Sequence, residues 1–158
     1  MSIKLLKKMR CPEWVIHHSQ AVKKKAMDIS QNFDVDEKLI QEGALLHDIG
    51  RCKTNDMHHA VIGACILSEH GFSEDLIKIV ERHIGAGISK KEAILMGLPP
   101  KDYIPISLEE KIVAHADNLL NGSQEVNLDF VITKWTSKRG CDPQSIERLK
   151  KLHHELVS

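Results

Sequence analysis

Six ionisable side chains stand where an amphipathic chain should carry leucines. His18, the adjacent pair His47-Asp48, His59, His83 and Asp117 lie on the core-facing stripes of separate predicted helices or at their ends, where charged groups are normally absent. An imidazole and a carboxylate at the end of a helix can both turn toward one cation, because the chain there is free to leave helical geometry. Asp117 is the strictest case, since it shares a helix side with Val113, Ala116 and Leu120. Burying its carboxylate without a partner costs about several kcal/mol or forces protonation. A cation, an arginine or a capping network would compensate, and a cation accounts for the whole set. The chain must therefore fold so that five distant stretches meet.

Helices are what the apolar spacing predicts. Trp14, Val15, His18, Ala21, Val22, Ile29 and Phe33 recur at steps of three or four behind Pro12, which gives a first main helix over about residues 12–32. Asp36 caps a second that ends at Gly50 and delivers His47-Asp48. A third carries His59, Ile62, Ile66 and Leu67 up to Gly71, and Ser73 opens a fourth on which Leu76, Ile79, Val80 and His83 align. Ser89 caps a short helix to about Met96, ahead of an irregular stretch through Pro99, Pro100 and Pro105. Ser107-Leu108-Glu109-Glu110 has the form of a capping box, which predicts helix to Leu120 with a stop at Asn121-Gly122. Two more helices are expected over about 124–137 and, after Asp142-Pro143, about 143–157. The fold class expected is all-α, a helical bundle, with residues 1–158 as a single domain.

Charge narrows the partners. Lys plus Arg balances Asp plus Glu at 22 each, so no polyanion footprint is present and bulk nucleic-acid binding is not expected. Cys11, Cys52, Cys65 and Cys141 show no paired spacing, and reduced, packed thiols are the expectation. With no secretion signal and no apolar run of membrane length, the reading is a soluble, cytoplasmic protein. Leu149, Leu152 and Leu156 form an apolar C-terminal stripe that would cover either the core or a partner copy in an oligomer.

The text around these residues resembles a known family. His18 within HHSQAV, His47-Asp48 within ALLHDIGR and Asp117 within KIVAHADNLL are similar to the pattern of the HD-domain superfamily of metal-dependent phosphohydrolases, HDIG subgroup, over about residues 14–122. The wording is also similar to a small archaeal HDIG group. The resemblance implies a bundle of the HD-domain type in which His18, His47, Asp48 and Asp117 hold one metal. His59 in HHAVIGACIL and His83 in IVERHIGAG match the two histidines that members holding a second metal supply, with Asp48 bridging. It further implies hydrolysis of a phosphomonoester or phosphodiester in a small molecule, a nucleotide being the candidate, by metal-activated water between cations about 3.5–4 Å apart. Imidazole and carboxylate ligands without thiolate favour Mn, Fe, Co, Ni or Zn. Arg51 stands where many relatives carry Lys, and a guanidinium can grip a phosphate bidentately; Lys53 and Arg82 are weaker candidates.

Departures from the pattern set limits. Ile84 replaces a second consecutive His common in two-metal phosphodiesterases, and no GYP signature follows, which disfavours cyclic dinucleotide hydrolysis. His17, His58 and His115 neighbour ligands and are expected as supporting or surface groups; His70, His153 and His154 are expected to face solvent or lie at the terminus. The stretch from Gly85 to Pro105 is expected to wall the substrate pocket. Two rival readings keep the ligands and change the outcome: a di-iron oxygenase of the same superfamily, and a non-catalytic nucleotide- or metal-sensing domain.

Overall fold

The computed structural model describes residues 2–138 and 141–157, and its architecture is all-α apart from one small hairpin. A first helix that the spacing did not announce, α1 (Ser2–Lys8), is one short turn pair that buries Leu6 completely and packs Ile3 and Leu5 beside Val15, Leu46 and Ile49. Arg10, at φ 59°, ends it in the left-handed region and turns the chain into α2 (Glu13–Ser30), which lies within the expected span.

Helix α3 (Glu37–Leu46) starts as expected, with the Asp36 carboxylate accepting from the Leu39 amide at 3.0 Å. It stops earlier than Gly50. At Asp48 the backbone leaves helical geometry (φ −101°, ψ 15°) and enters a short 3-10 turn, Ile49–Cys52. That early stop lets His47 and Asp48 face the same point. Helix α4 (His59–Glu69) follows, then α5 (Glu74–Glu81), whose Ser73 hydroxyl accepts from the Leu76 amide at 3.3 Å. His83 lies just beyond α5 instead of within it.

Helix α6 (Lys90–Leu95) has the full reciprocal capping box, Ser89 with Glu92. Helix α7 (Leu108–Asn118) has half of one: Ser107 accepts from the Glu110 amide at 3.1 Å, while the Glu110 carboxylate turns to the Ile106 amide and to Arg82. Past α7 the expected stop is a hairpin, β1 (Leu120–Asn121) antiparallel to β2 (Gln124–Glu125), turning at Gly122 with φ 65°. The eighth helix, α8 (Leu128–Thr136), therefore begins later than residue 124, capped by Asn127, and α9 (Pro143–Leu156) follows its Asp142 cap.

The larger apolar cluster joins α2, α3, α7 and α9 through Val22, Ala26, Ile40, Ile112, Val113 and Leu149. Each fully buried Val, Leu or Ile contributes about 1.5–3 kcal/mol relative to exposure. Leu149, Leu152 and Leu156 are all buried in this cluster, so the C-terminal stripe covers the chain's own core. No helix among the described residues is long and apolar enough to cross a membrane.

Candidate metal centre

The four candidate histidines share one arrangement: Nδ1 on a backbone carbonyl and Nε2 inward. Nδ1 of His47 lies 2.6 Å from the Ala44 carbonyl, that of His59 lies 2.8 Å from Asp56, and that of His83 lies 2.6 Å from Val80. In each case the acceptor is three residues upstream, at a helix terminus. His18 uses a remote carbonyl, Gly122 O, which the unforeseen β1–β2 hairpin delivers. A carbonyl can only accept, so Nδ1 carries the proton and a neutral ring keeps its lone pair on Nε2, the form that ligates metals.

The carboxylates complete the set. Asp48 divides its oxygens: Oδ1 lies 3.3 Å from His59 Nε2 and 3.2 Å from His83 Nε2, while Oδ2 lies 3.4 Å from His47 Nε2 and 3.6 Å from His18 Nε2. Asp117 Oδ1 stands 2.9 Å from His18 Nε2 and 3.5 Å from His47 Nε2. Two groups with ligand atoms within 4.8 Å of one another result among the described residues: His18, His47 and Asp117, and His47, Asp48 and His83. All six candidates converge, as the sequence required.

Electrostatics give the reason a cation belongs there. Burial pushes both carboxyl pKa values up, yet His47 and the other imidazoles outweigh it and hold Asp48 and Asp117 well below the usual carboxylate range. Burial likewise lowers His47, and the two carboxylates overcome it and raise that imidazole well above its ordinary value. His83, fully buried, is pushed down by burial. Two ionised acids thus sit side by side, Asp48 buried and Asp117 partly exposed to the cleft, and His47 Nε2 and Asp48 Oδ1 are buried without a hydrogen-bond partner. His59 and His83 also bring their Nε2 atoms to 3.1 Å, an arrangement in which two lone pairs repel unless a proton or cation lies between. Oxygen and imidazole donors with unsatisfied lone pairs fit one or two divalent cations.

A cleft of about 710 Å³ opens onto His18, Asp48 and Asp117. Arg51 is on its wall, its Nε 3.2 Å from Asp48 Oδ2 and its guanidinium 5.6 Å from the Trp14 ring. Ile84, Gly85, Gly87 and Ile88 line it too, so the first part of the Gly85 to Pro105 stretch does wall the pocket. Ile84 adds side-chain bulk to that wall. Arg82 is not there: it bonds Glu110 at 2.7 Å, and neither it nor Lys53 lines the cleft.

Other expectations need correction. His115 is fully buried and faces α9, its Nε2 2.9 Å from His153 Nδ1, so His115 is not a surface group, while His153 is half-buried in the last turn of the C-terminal helix. Two residues rotate a helix by about 200°, which turns His115 away from the centre that Asp117 faces. Cys65 is exposed, since α4 buries Gly63, Ala64, Ile66 and Leu67 instead; Cys52 packs with the apolar cluster around Leu6, Val15, Leu46 and Ile49, as expected. His17 and His58 are surface groups as expected, His17 exposed and His58 bonding Asp56 and the Gly97 carbonyl away from the candidate ligands.

Gly50 explains the last letter of His-Asp-Ile-Gly. A Cβ there would lie 1.8 Å from the His59 carbonyl oxygen and 2.8 Å from the Gly63 amide nitrogen. Only a residue without a side chain lets the 3-10 turn press Asp48 against the start of α4.

The profile of the HD-domain family matches residues 15–122, a segment that contains every candidate ligand. This chain belongs to the HD-domain family. The HD protein is 49% identical over 160 residues to an uncharacterised protein of Methanocaldococcus jannaschii, covering 98% of this chain and 94% of that one. It is 46% identical over 154 residues to a tRNA (cytidine(56)-2'-O)-methyltransferase of Picrophilus torridus, covering 98% of this chain but only 45% of the methyltransferase. The chain thus spans less than half of that enzyme. Among solved structures it is similar to the HD domain of the L. monocytogenes phosphodiesterase PgpH in complex with cyclic-di-AMP, with a TM-score of 0.59, 20% identity and coverage of 94% and 92% of the two chains. At that identity the likeness concerns the fold.

Proposed function

We propose that this HD-domain protein is a metal-dependent hydrolase of a phosphomonoester or phosphodiester bond in a small molecule, with nucleotides as the substrate class and residues 1–158 acting as one domain. The observation that carries the reading is the divided carboxylate of Asp48, with one oxygen toward His59 and His83 and the other toward His18 and His47. His18, His47, Asp48 and Asp117 hold one divalent cation, and Asp48, His59 and His83 hold a second. Thiolate-free ligands select Mn, Fe, Co, Ni or Zn. Bound there, such cations lower the pKa of water and neutralise phosphoryl oxygens during in-line displacement.

The chain's own groups do the rest. Asp117, 23% exposed at its side chain, lies at the mouth of the cleft, where an entering phosphate meets the centre. Arg51, leaning on Asp48 and Trp14, places a cationic fork on the same wall for the phosphate's remaining oxygens. The relation to a tRNA methyltransferase and the fold shared with a cyclic-di-AMP phosphodiesterase both favour a nucleotide-like substrate over a sugar or lipid phosphate.

The experiment is metal analysis of purified protein joined to a phosphatase and phosphodiesterase screen with Mn, Fe, Co, Ni and Zn. One or two ions per chain and cation-dependent release of phosphate or of a phosphodiester product are expected. Asp48→Asn and Asp117→Asn should abolish turnover while helicity is kept. A protein that binds no cation, or whose Asp48→Asn variant still turns over, would refute the reading.

A further inference from the structure

The chain holds only six aromatic residues, two Trp, one Tyr and three Phe. Both tryptophans and Phe130 line the cleft that opens on the metal centre, and none of the three is fully buried. Aromatic surface that would ordinarily fill a core is here spent on a wet wall, which suits a planar ligand. The placement of Trp135 is the informative one. Its ring lies against Gly85, where an added Cβ would come within 3.3 Å of it, and Gly85 is two residues from the ligand His83. Two residues of chain span at most about 7 Å. The indole therefore packs against the chain segment that carries His83.

Helix α8 supplies more than this ring. Phe130 and Lys134, four residues apart on the helix, and Lys138, two residues beyond its end, all line the cleft. Among the described residues no carboxylate pairs with either lysine; Lys134 reaches only the neutral Asn121 Oδ1, at 3.4 Å. The other acids on the cleft wall are engaged, Glu92 with Arg148 at 2.7 Å and Asp142 as the cap of α9. Two positive charges thus remain for something entering the cleft. Its volume, about 710 Å³, is also in the upper part of the roughly 300–1,000 Å³ range that drug-sized ligands occupy. Helix α8 lies outside the segment 15–122 that the family shares.

Resting on the hydrolase reading above, we infer that α8 is the specificity element of this protein, and that it recognises a nucleoside bearing two separate phosphates. One phosphate meets the metal centre, the base stacks on Trp135, and the second phosphate is held by Lys134 and Lys138. A nucleoside bisphosphate and a 5′-phosphorylated dinucleotide share this chemistry. In the reaction the attacked phosphorus gains the oxygen of water and its ester bond to the nucleoside breaks. The departing nucleoside oxygen takes a proton from that water, and the distal phosphate stays on the product.

The test compares AMP, adenosine 3′,5′-bisphosphate, the dinucleotide pApA and p-nitrophenyl phosphate on the metal-loaded full chain. The bisphosphate or pApA should exceed AMP in kcat/KM by at least tenfold, and whichever does identifies the source of the second phosphate. In Lys134→Gln/Lys138→Gln that ratio should fall tenfold or more through KM. Binding is read separately from turnover, in EDTA, by tryptophan emission. In Trp14→Phe, adenosine 3′,5′-bisphosphate should quench the remaining indole; in Trp135→Phe the quench should drop by more than half. Hydrolysis of the aryl phosphate and AMP with no advantage for a second phosphate and no quench at Trp135 would overturn the inference and leave the hydrolase reading standing. A Trp135 quench in a protein that turns over nothing with any cation would keep the subsite and remove the hydrolase reading.

Discussion

Replacing Gly50 by Ala tests whether the close approach of the 3-10 turn to α4 builds the second half of the metal centre. The new Cβ would start 1.8 Å from the His59 carbonyl oxygen, a backbone atom that cannot rotate away. Carbon and oxygen need about 3.3 Å, so the turn and the start of α4 must part by about 1.5 Å. His59 Nε2, now 3.3 Å from Asp48 Oδ1, would move with its backbone. Ligand geometry tolerates only about 0.5 Å. The pair formed by His59 and His83 should therefore lose its cation first, while His18, His47 and Asp117 keep theirs. Overpacking of this kind costs about 1–3 kcal/mol, which in a chain of this size lowers Tm by about 2–12 °C. Metal content after dialysis against a weak chelator should fall by one ion per chain, with cation affinity at the weaker site reduced tenfold or more. Gly71→Ala is the control, because its φ of 76° imposes strain but nothing lies within 4 Å of the added carbon. It should cost about 1–2 kcal/mol and leave metal content alone. A Gly50→Ala protein that binds as many ions as the wild type, with Tm unchanged, would refute the argument.

Other outcomes follow from the same geometry. Asp48→Asn should weaken both cations and Asp117→Asn only the one shared with His18 and His47, so metal stoichiometry by elemental analysis should separate the two variants. His18 depends on the hairpin carbonyl, and Gly122→Pro, which cannot adopt its φ of 65°, should lower affinity for that same cation without affecting the His59 and His83 side. Burial, helped by Cys52, pushes the Cys11 thiol up to about 12, so it should resist alkylation in the folded protein at pH 8 while exposed Cys65 reacts, as peptide mass mapping would read. Because the folded state keeps a proton at Cys11 that the unfolded chain releases, this group's contribution to stability is complete below pH 9 and declines from there toward 12. Urea midpoints should accordingly fall less steeply with rising pH in Cys11→Ala.

The candidate ligands were legible because each is an ionisable residue on an apolar stripe or at the helix end that continues it, a signal that rests on period. What escaped was whatever has no period. A two-residue strand pair carries none, so the Gly122 carbonyl that orients His18 had no trace beyond an Asn-Gly stop. The seven residues of α1 are likewise too short to establish a repeat, though Ile3 and Leu6 are three apart. His115 misled because sequence proximity to Asp117 says nothing about the far side of a helix, where His153 waits. The ordinary role of glycine as a helix stop points to Gly50 as the end of α3. Its actual role is to admit the backbone of His59, and that contact joins elements no local pattern relates.

A metal-binding imidazole is oriented by a carboxylate, a backbone carbonyl or a water on its other nitrogen, and a carboxylate can be deleted by substitution. Here main-chain oxygens do that work for all four rings, three of them from the turn just before the histidine itself. Such acceptors survive every exchange of neighbouring side chains except one that bends the chain. Ligand basicity is thereby tied to the integrity of helix termini, and loosening the end of α3 or α5 should be felt as weaker metal retention well before the bundle melts.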